Sequence, residues 1–184
     1  QQTPDYGFIM GGYTNSINGD VTYNHGAGDC WVVKTDSARN IQWQKTYGSS
    51  SNELGFAIAK TSDGGYVLAG STVGNNGDVS GHHGGIGADA WIIKINNSGS
   101  IAWQKCFGGT NSEFAYSIRQ TFDGGYIVAG SASSNDGNVN GNHGIYDVWI
   151  IKLDSNGNLQ WQKCFGGSAW ETANSILQTI DLGY

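Results

Sequence analysis

Thr121-Phe-Asp-Gly-Gly-Tyr-Ile-Val-Ala-Gly-Ser131, then Asp147-Val-Trp-Ile-Ile-Lys-Leu153, then Leu159-Gln-Trp-Gln-Lys-Cys-Phe165 is the stretch that decides the fold. Asp123-Gly124-Gly125 is a hairpin turn signal, and Ala115 to Thr121 and Tyr126 to Ser131 flank it as two strands. Asp147 to Leu153 is an almost unbroken apolar run, as expected of a strand covered on both faces. Leu159 to Phe165 sets Leu159, Trp161 and Phe165 against Gln160, Gln162 and Cys164, the alternation of a half-exposed strand. No helical periodicity survives for a full helix length anywhere.

The same order of signals recurs through the chain. Trp31, Trp91 and Trp149 are spaced by 60 and 58 residues, and Trp43, Trp103 and Trp161 repeat that spacing. The repeats run approximately over 3–60, 61–120 and 121–178, and residues 177–184 return to the phase of 1–8. Self-similarity at this period marks an array of supersecondary units. Four short antiparallel strands per unit describe a β-propeller blade. The expectation is an all-β protein with three four-stranded antiparallel blades, part of a larger propeller. Because both ends fall in the same hairpin, the first blade should hold three strands and the last segment should supply one innermost strand.

Composition agrees with a folded β protein. Thirty glycines and one proline stay below the share typical of disordered chains, and aromatic residues make up 12%. A net charge of −6 with no basic run argues against nucleic-acid binding. No apolar run is long enough to span a bilayer. There is no signal peptide and no initial Met, which reads as a processed protein or a piece of a longer one. Three cysteines have no metal-type spacing, and Cys106 and Cys164 sit a whole repeat apart, so free thiols are expected.

The runs 126–131, 147–154 and 157–167 resemble the bacterial secreted and cell-surface β-propeller repeats of the SBBP type. The resemblance covers the whole chain and is carried by three copies. It implies an extracellular or surface location, an innermost strand before each Asp-Gly-Gly turn, and an outer-edge Trp-Gln-Lys strand. Arg39 and Leu182 depart from the pattern by replacing turn glycines, and Thr46 stands where Cys106 and Cys164 do. Fold resemblance of this kind does not fix activity.

Candidate sites divide into repeated and unrepeated residues. His25, Asp29 and Trp31, His83, Asp89 and Trp91, and His143, Asp147 and Trp149 recur as a set. His and Asp could ligate a metal, but a set present in every unit reads first as a network holding each loop to its blade. Glu53, Glu113 and Glu171 also recur. Symmetry-related carboxylates lack the separated pKa values that glycoside hydrolysis needs. Asn18-Gly19-Asp20, Asn76-Gly77-Asp78 and Asp136-Gly137-Asn138 offer oxygens for Ca²⁺ but lack the EF-hand pattern, and turn chemistry accounts for them. No metal or cofactor is therefore expected.

The unrepeated residues are the ligand candidates: Trp170, Tyr146 and the extra His82. Exposed aromatic residues stack on sugars or anchor protein partners. The leading functional expectation is a non-catalytic scaffold for protein or glycan binding. The alternatives are a lectin with one sugar site per blade and part of a larger propeller enzyme such as a glycoside hydrolase. Ring closure is expected through further blades of a longer chain or through a homodimer forming a six-bladed ring.

Overall fold

The computed structural model describes residues 1–184 and contains eleven strands and no helix. Sheet 1 comprises β1 (Phe8–Thr14), β2 (Asp29–Thr35) and β3 (Ile41–Tyr47). Sheet 2 comprises β4 (Glu53–Lys60), β5 (Tyr66–Thr72), β6 (Asp89–Ile95) and β7 (Ile101–Phe107). Sheet 3 comprises β8 (Glu113–Gln120), β9 (Tyr126–Ala132), β10 (Asp147–Leu153) and β11 (Leu159–Phe165). All neighbouring strands are antiparallel and follow chain order.

Sheet 1 has three strands, as the phase of the hairpins predicted, with Gln2 bridging Phe8 across the first turn. Two other features differ from the sequence reading. β8 begins at Glu113, two residues before the predicted Ala115, because Glu113 and Phe114 already pair with Ala132 and Ser131 of β9. The final segment, residues 171–178, is not a strand. It runs beside sheet 3 through Ala173 N–H to Gly130 O (3.3 Å) and Ile176 N–H to Ser117 Oγ (3.2 Å), with no partner strand along its other side.

The sheets bury their faces against one another. Ile9, Val32, Leu68, Trp91, Ile93 and their neighbours form the core between sheets 1 and 2. Val67, Ile92, Ile118, Val128, Trp149 and Ile151 anchor the core between sheets 2 and 3. β5, β6 and β9 are buried at every position, which continuous apolar runs such as Trp91–Ile93 permit. At the edges, Trp43 lies against Tyr66 (ring centroids 6.3 Å apart) and Trp103 against Tyr126 (5.6 Å). The Tyr47 hydroxyl reaches across to donate to the Gly99 carbonyl at 2.6 Å.

β11 is half-exposed, as its alternation predicts. Cys164 is buried, while Trp161 and Phe165 are 41% and 53% exposed. Their counterparts Trp103 and Phe107 are shielded by the next sheet, whereas the aromatic ring beside Trp161 is that of Tyr184, at 5.7 Å.

One feature of the register was not visible in the strand patterns. The pairing of β4 with β5 shifts between Gly55 and Ala57, and that of β8 with β9 between Ala115 and Ser117. Phe56 and Tyr116 are the extra residues. A bulge re-aims its side chain, and these two rings meet at 4.9 Å.

Candidate functional site

Each His–Asp pair fastens a long loop to the start of the strand that follows it. Asp29, Asp89 and Asp147 are fully buried at the first positions of β2, β6 and β10. One oxygen of each meets a His Nδ1, at 2.5 Å for His25, 2.6 Å for His83 and 2.6 Å for His143. The same oxygen accepts the backbone N–H of that histidine. Two residues on, the Trp31, Trp91 and Trp149 indoles donate to Gln44, Gln104 and Gln162 at 2.7–2.9 Å. A buried Trp N–H needs such a partner. Thus all nine residues of the repeated set are engaged within their own units.

The recurring glutamates are likewise occupied. Glu53 accepts Ser49 N–H, Ser49 Oγ–H and Thr72 Oγ1–H at 2.6–2.8 Å. Glu113 accepts the N–H groups of Gly109, Ser134 and Ser133. Burial pushes the Glu113 carboxyl above its ordinary range, and those hydrogen bonds work against the shift. Glu171 accepts only the Gly167 N–H, at 2.9 Å, and is half-buried.

Two of the three Asn/Asp-Gly loops, Asn76-Gly77-Asp78 and Asp136-Gly137-Asn138, dock one unit onto another, whereas Asn18-Gly19-Asp20 bonds only within its own loop. Asp78 N–H and Asn138 N–H bond the carbonyls of Gly48 and Gly108, while Asn76 and Asp136 side chains accept Ser50 N–H and Thr110 N–H. These oxygens, considered for Ca²⁺, are thus drawn into contacts between units. No three His, Cys, Asp or Glu side chains converge closely enough to hold a metal ion.

A second repeated device escaped the sequence reading. Lys34, Lys94 and Lys152 are buried in the middle strands and reach the turn carboxylates Asp5, Asp63 and Asp123 at 2.8, 2.8 and 2.9 Å. Each Nζ also donates to the carbonyl of the following residue. Bonds from Lys34 and then Thr3 hold Asp5 far below the usual carboxylate range. Partial burial raises Asp63, but Lys94 and Thr61 outweigh it and leave it at about 2. Thr121 and then Lys152 bring Asp123 to about 2. The signal was the fixed spacing of 29 residues between Asp and Lys in the first and third units, and 31 in the second, where the two-residue insertion falls.

The unrepeated candidates do not form one group. His82 turns into its own loop in sheet 2's unit, with Nε2 3.1 Å from Gly87 O and Nδ1 accepting Gly84 N–H. Its side chain is only 9% exposed. Tyr146 and Trp170 come together instead. They form a parallel bridge, the counterpart of Gly28 with Asn52 in the first unit, and their rings lie 4.5 Å apart at 44°. Glu171 N–H bonds the Tyr146 carbonyl at 2.8 Å, as Glu53 bonds Gly28 and Glu113 bonds Ala88. The backbone frame is therefore shared, and the third unit alone places aromatic rings on it.

Those rings continue into a larger group. Tyr146 meets Phe114 at 6.3 Å, and Phe114 stacks with Tyr116 at 5.9 Å and 12°. Together they line a cavity of about 350 Å³, with Ser131, Glu171, Thr172 and Asn174 at its margin. Its volume lies in the range of small-ligand sites. Phe114 and Tyr116 were not singled out from sequence. Two residues apart on β8, they share a strand face and so reach the cavity together.

The class defined so far is an all-β protein of repeated antiparallel sheets with one aromatic cavity in its third unit. No protein-family model matches the chain, and no curated protein matches it.

Proposed function

We propose that the three sheets are blades of a β-propeller of the SBBP type. On this reading the protein is a non-catalytic, extracellular or surface-displayed scaffold that binds a protein or glycan ligand through the third unit. Face-to-face packing of sheets with strands in chain order supports the propeller reading. The edge of β1 and the extended segment 171–178 are complementary in phase. Further blades of the same chain, or a second copy of it, join them to complete the ring.

The observation that carries the binding role is the convergence of Tyr146 and Trp170 on one cavity. The other units carry Gly28 with Asn52 and Ala88 with Ser112 at those positions. A lectin with a sugar site in every unit draws no support from that difference. The enzyme reading draws none from Glu53 and Glu113, whose oxygens are held by backbone N–H and hydroxyl donors of their own unit and the next.

The test uses the residues of the second unit as replacements, because the same backbone frame already carries them. The chain and its Tyr146→Ala and Trp170→Ser variants are applied to glycan and peptide arrays. Signals from the parent that are lost in both variants are expected. Binding that persists unchanged in the double variant, or no binding by the parent, would remove the proposed role.

A further inference from the structure

The chemistry of the cavity selects a ligand class, and this inference rests on reading the cavity as a ligand site. We propose that it receives a quaternary or fully methylated ammonium group. Four aromatic residues form its walls: Phe114 and Tyr116 lie nearly parallel, and Tyr146 is tilted by 37° to Phe114 and by 44° to Trp170, so the four do not form one flat platform. Aromatic faces attract cations, and cages of this kind suit alkylated ammonium groups.

Charge points the same way. No Lys, Arg or His lines the cavity, and the one ionisable acid on its wall is Glu171. Beside Glu171 lies a second carboxylate, an Asp–Glu arrangement that recurs at Gly48 and Gly108 but adjoins aromatic walls only here. The position a Cβ would take at Gly166 is 2.6 Å from both Glu171 Oε2 and Asp147 Oδ1. Asp147 is fully buried, and that Oδ1 has no hydrogen-bond partner. His143 engages only the other Asp147 oxygen. Two carboxylates behind aromatic walls favour a cation and disfavour an anion.

The scarcity of polar groups separates the possible cations and the neutral sugars. A primary ammonium brings three N–H donors that must be satisfied once it is desolvated. A sugar brings several hydroxyls. Besides Glu171 the polar side chains on the lining are Ser131, Thr172, Asn174 and the phenols Tyr116 and Tyr146, few enough that three N–H donors or a ring of hydroxyls would not all be met. A methylated ammonium carries charge without donors, so it loses no hydrogen bonds on entry.

The experiment is a calorimetric and NMR titration of the intact chain at low salt. The probes are choline and its neutral isostere, in which carbon replaces the charged nitrogen. Choline should saturate while shifting the Trp170 indole resonance, and the isostere should bind about ten-fold more weakly. Glu171→Gln, which retains an acceptor for Gly167 N–H, should weaken choline several-fold, and Trp170→Ser should abolish saturation. A trimethyllysine peptide and phosphatidylcholine vesicles, run in parallel, identify which source reaches the cavity. Equal binding of choline and its isostere, or no saturation by choline, overturns the proposal. If choline fails while an array ligand still depends on Trp170, the ligand class is wrong and the site stands. If nothing depends on Trp170, the site reading falls as well.

Discussion

Sheets 2 and 3 are built from the same sequence pattern and differ in what surrounds them. Sheet 2 is covered on both faces, so Trp91 is 1% exposed and Trp103 is wedged against Tyr126. Sheet 3 is covered on one, so Trp149 is buried like Trp91 while Trp161 and Phe165 stand open. A residue's type therefore sets its strand and orientation, and its neighbour sheet decides how much it contributes. The same lesson holds for Tyr146 and Trp170, which use a backbone frame present three times but carry aromatic surface only once.

The largest effect should come from truncating the covered indole. Trp91→Ala should cost about 3–5 kcal/mol, measured as a fall in the denaturant midpoint. Trp161→Ala, which loses one contact with Tyr184 and much exposed surface, should cost far less. Equal losses at the two positions would break the distinction between covered and uncovered sheets.

A smaller effect compares the turns. Asp63 balances buried Lys94, whereas Asp181 occupies an equivalent turn and meets only Thr179 and the Gly183 N–H. Asp63→Asn should cost about 1–3 kcal/mol, because a buried ammonium loses a charged partner. Asp181→Asn should leave the midpoint nearly in place. The acid response follows from the same pairs. Asp63 and Asp123 have folded pKa values depressed to about 2, so their stabilisation is present above the unfolded value. It is lost as pH falls from about 4 towards about 2. Urea midpoints measured across that window should drop in the parent and drop less in a variant lacking both aspartates.

How far these contrasts could be read in advance depends on their physical origin. Strand existence was legible because turn residues and apolar runs are local, and β10 and β11 have the limits that the pattern predicted. The pairing of Trp indoles with Gln44, Gln104 and Gln162 was not foreseen, since it joins neighbouring strands through register. The exposure of Trp161 was not legible, because alternation describes a strand's two faces and says nothing of what lies beyond them. Tyr146 and Trp170 stood out through breaking the repeat. Phe114 and Tyr116 did not, because Leu54 and Phe56 stand at the same places in β4 and the repeat is unbroken there. His82 also broke the repeat, yet the added loop residues gave its ring partners of its own.

The thiols give the same comparison a chemical readout. Burial, with Asp89 and Glu53 nearby, pushes Cys106 up to about 12. Burial raises Cys164 to about 11, where Lys163 partly offsets Asp147 and Glu113. Cys30 is raised further still, by burial and then by Glu53 and Asp29. The thiolate is the reactive form, so a difference of about one unit corresponds to about a ten-fold difference in thiolate fraction at a given pH. Alkylation of the native chain followed by peptide mapping should modify Cys164 first, Cys106 next and Cys30 last. Modification of Cys30 ahead of Cys164 would contradict the ranking of the three environments.

The smallest effect lies in the turns where the copies disagree about glycine. Gly99 and Gly157 hold φ of 76° and 78°, and Arg39 holds 71° at the same place. A side chain in that left-handed region costs about 1–2 kcal/mol relative to glycine. The Asp36 carboxylate steadies the turn by accepting Asn40 N–H and side-chain bonds at 2.8 and 3.0 Å, so the strain is tolerated rather than relieved. Arg39→Gly should raise the denaturant midpoint by an amount equivalent to about 1 kcal/mol, part of the gain being offset by the greater freedom of glycine in the unfolded chain. The same substitution logic reversed, Gly99→Arg, should destabilise by more. There the added side chain meets Trp43 and the Tyr47 hydroxyl at 3.0 and 3.1 Å as well as the positive φ. A larger penalty at Gly99 than gain at Arg39 would show that this turn in the second unit is constrained by its contact with sheet 1, while the first unit's turn is constrained only by its own backbone.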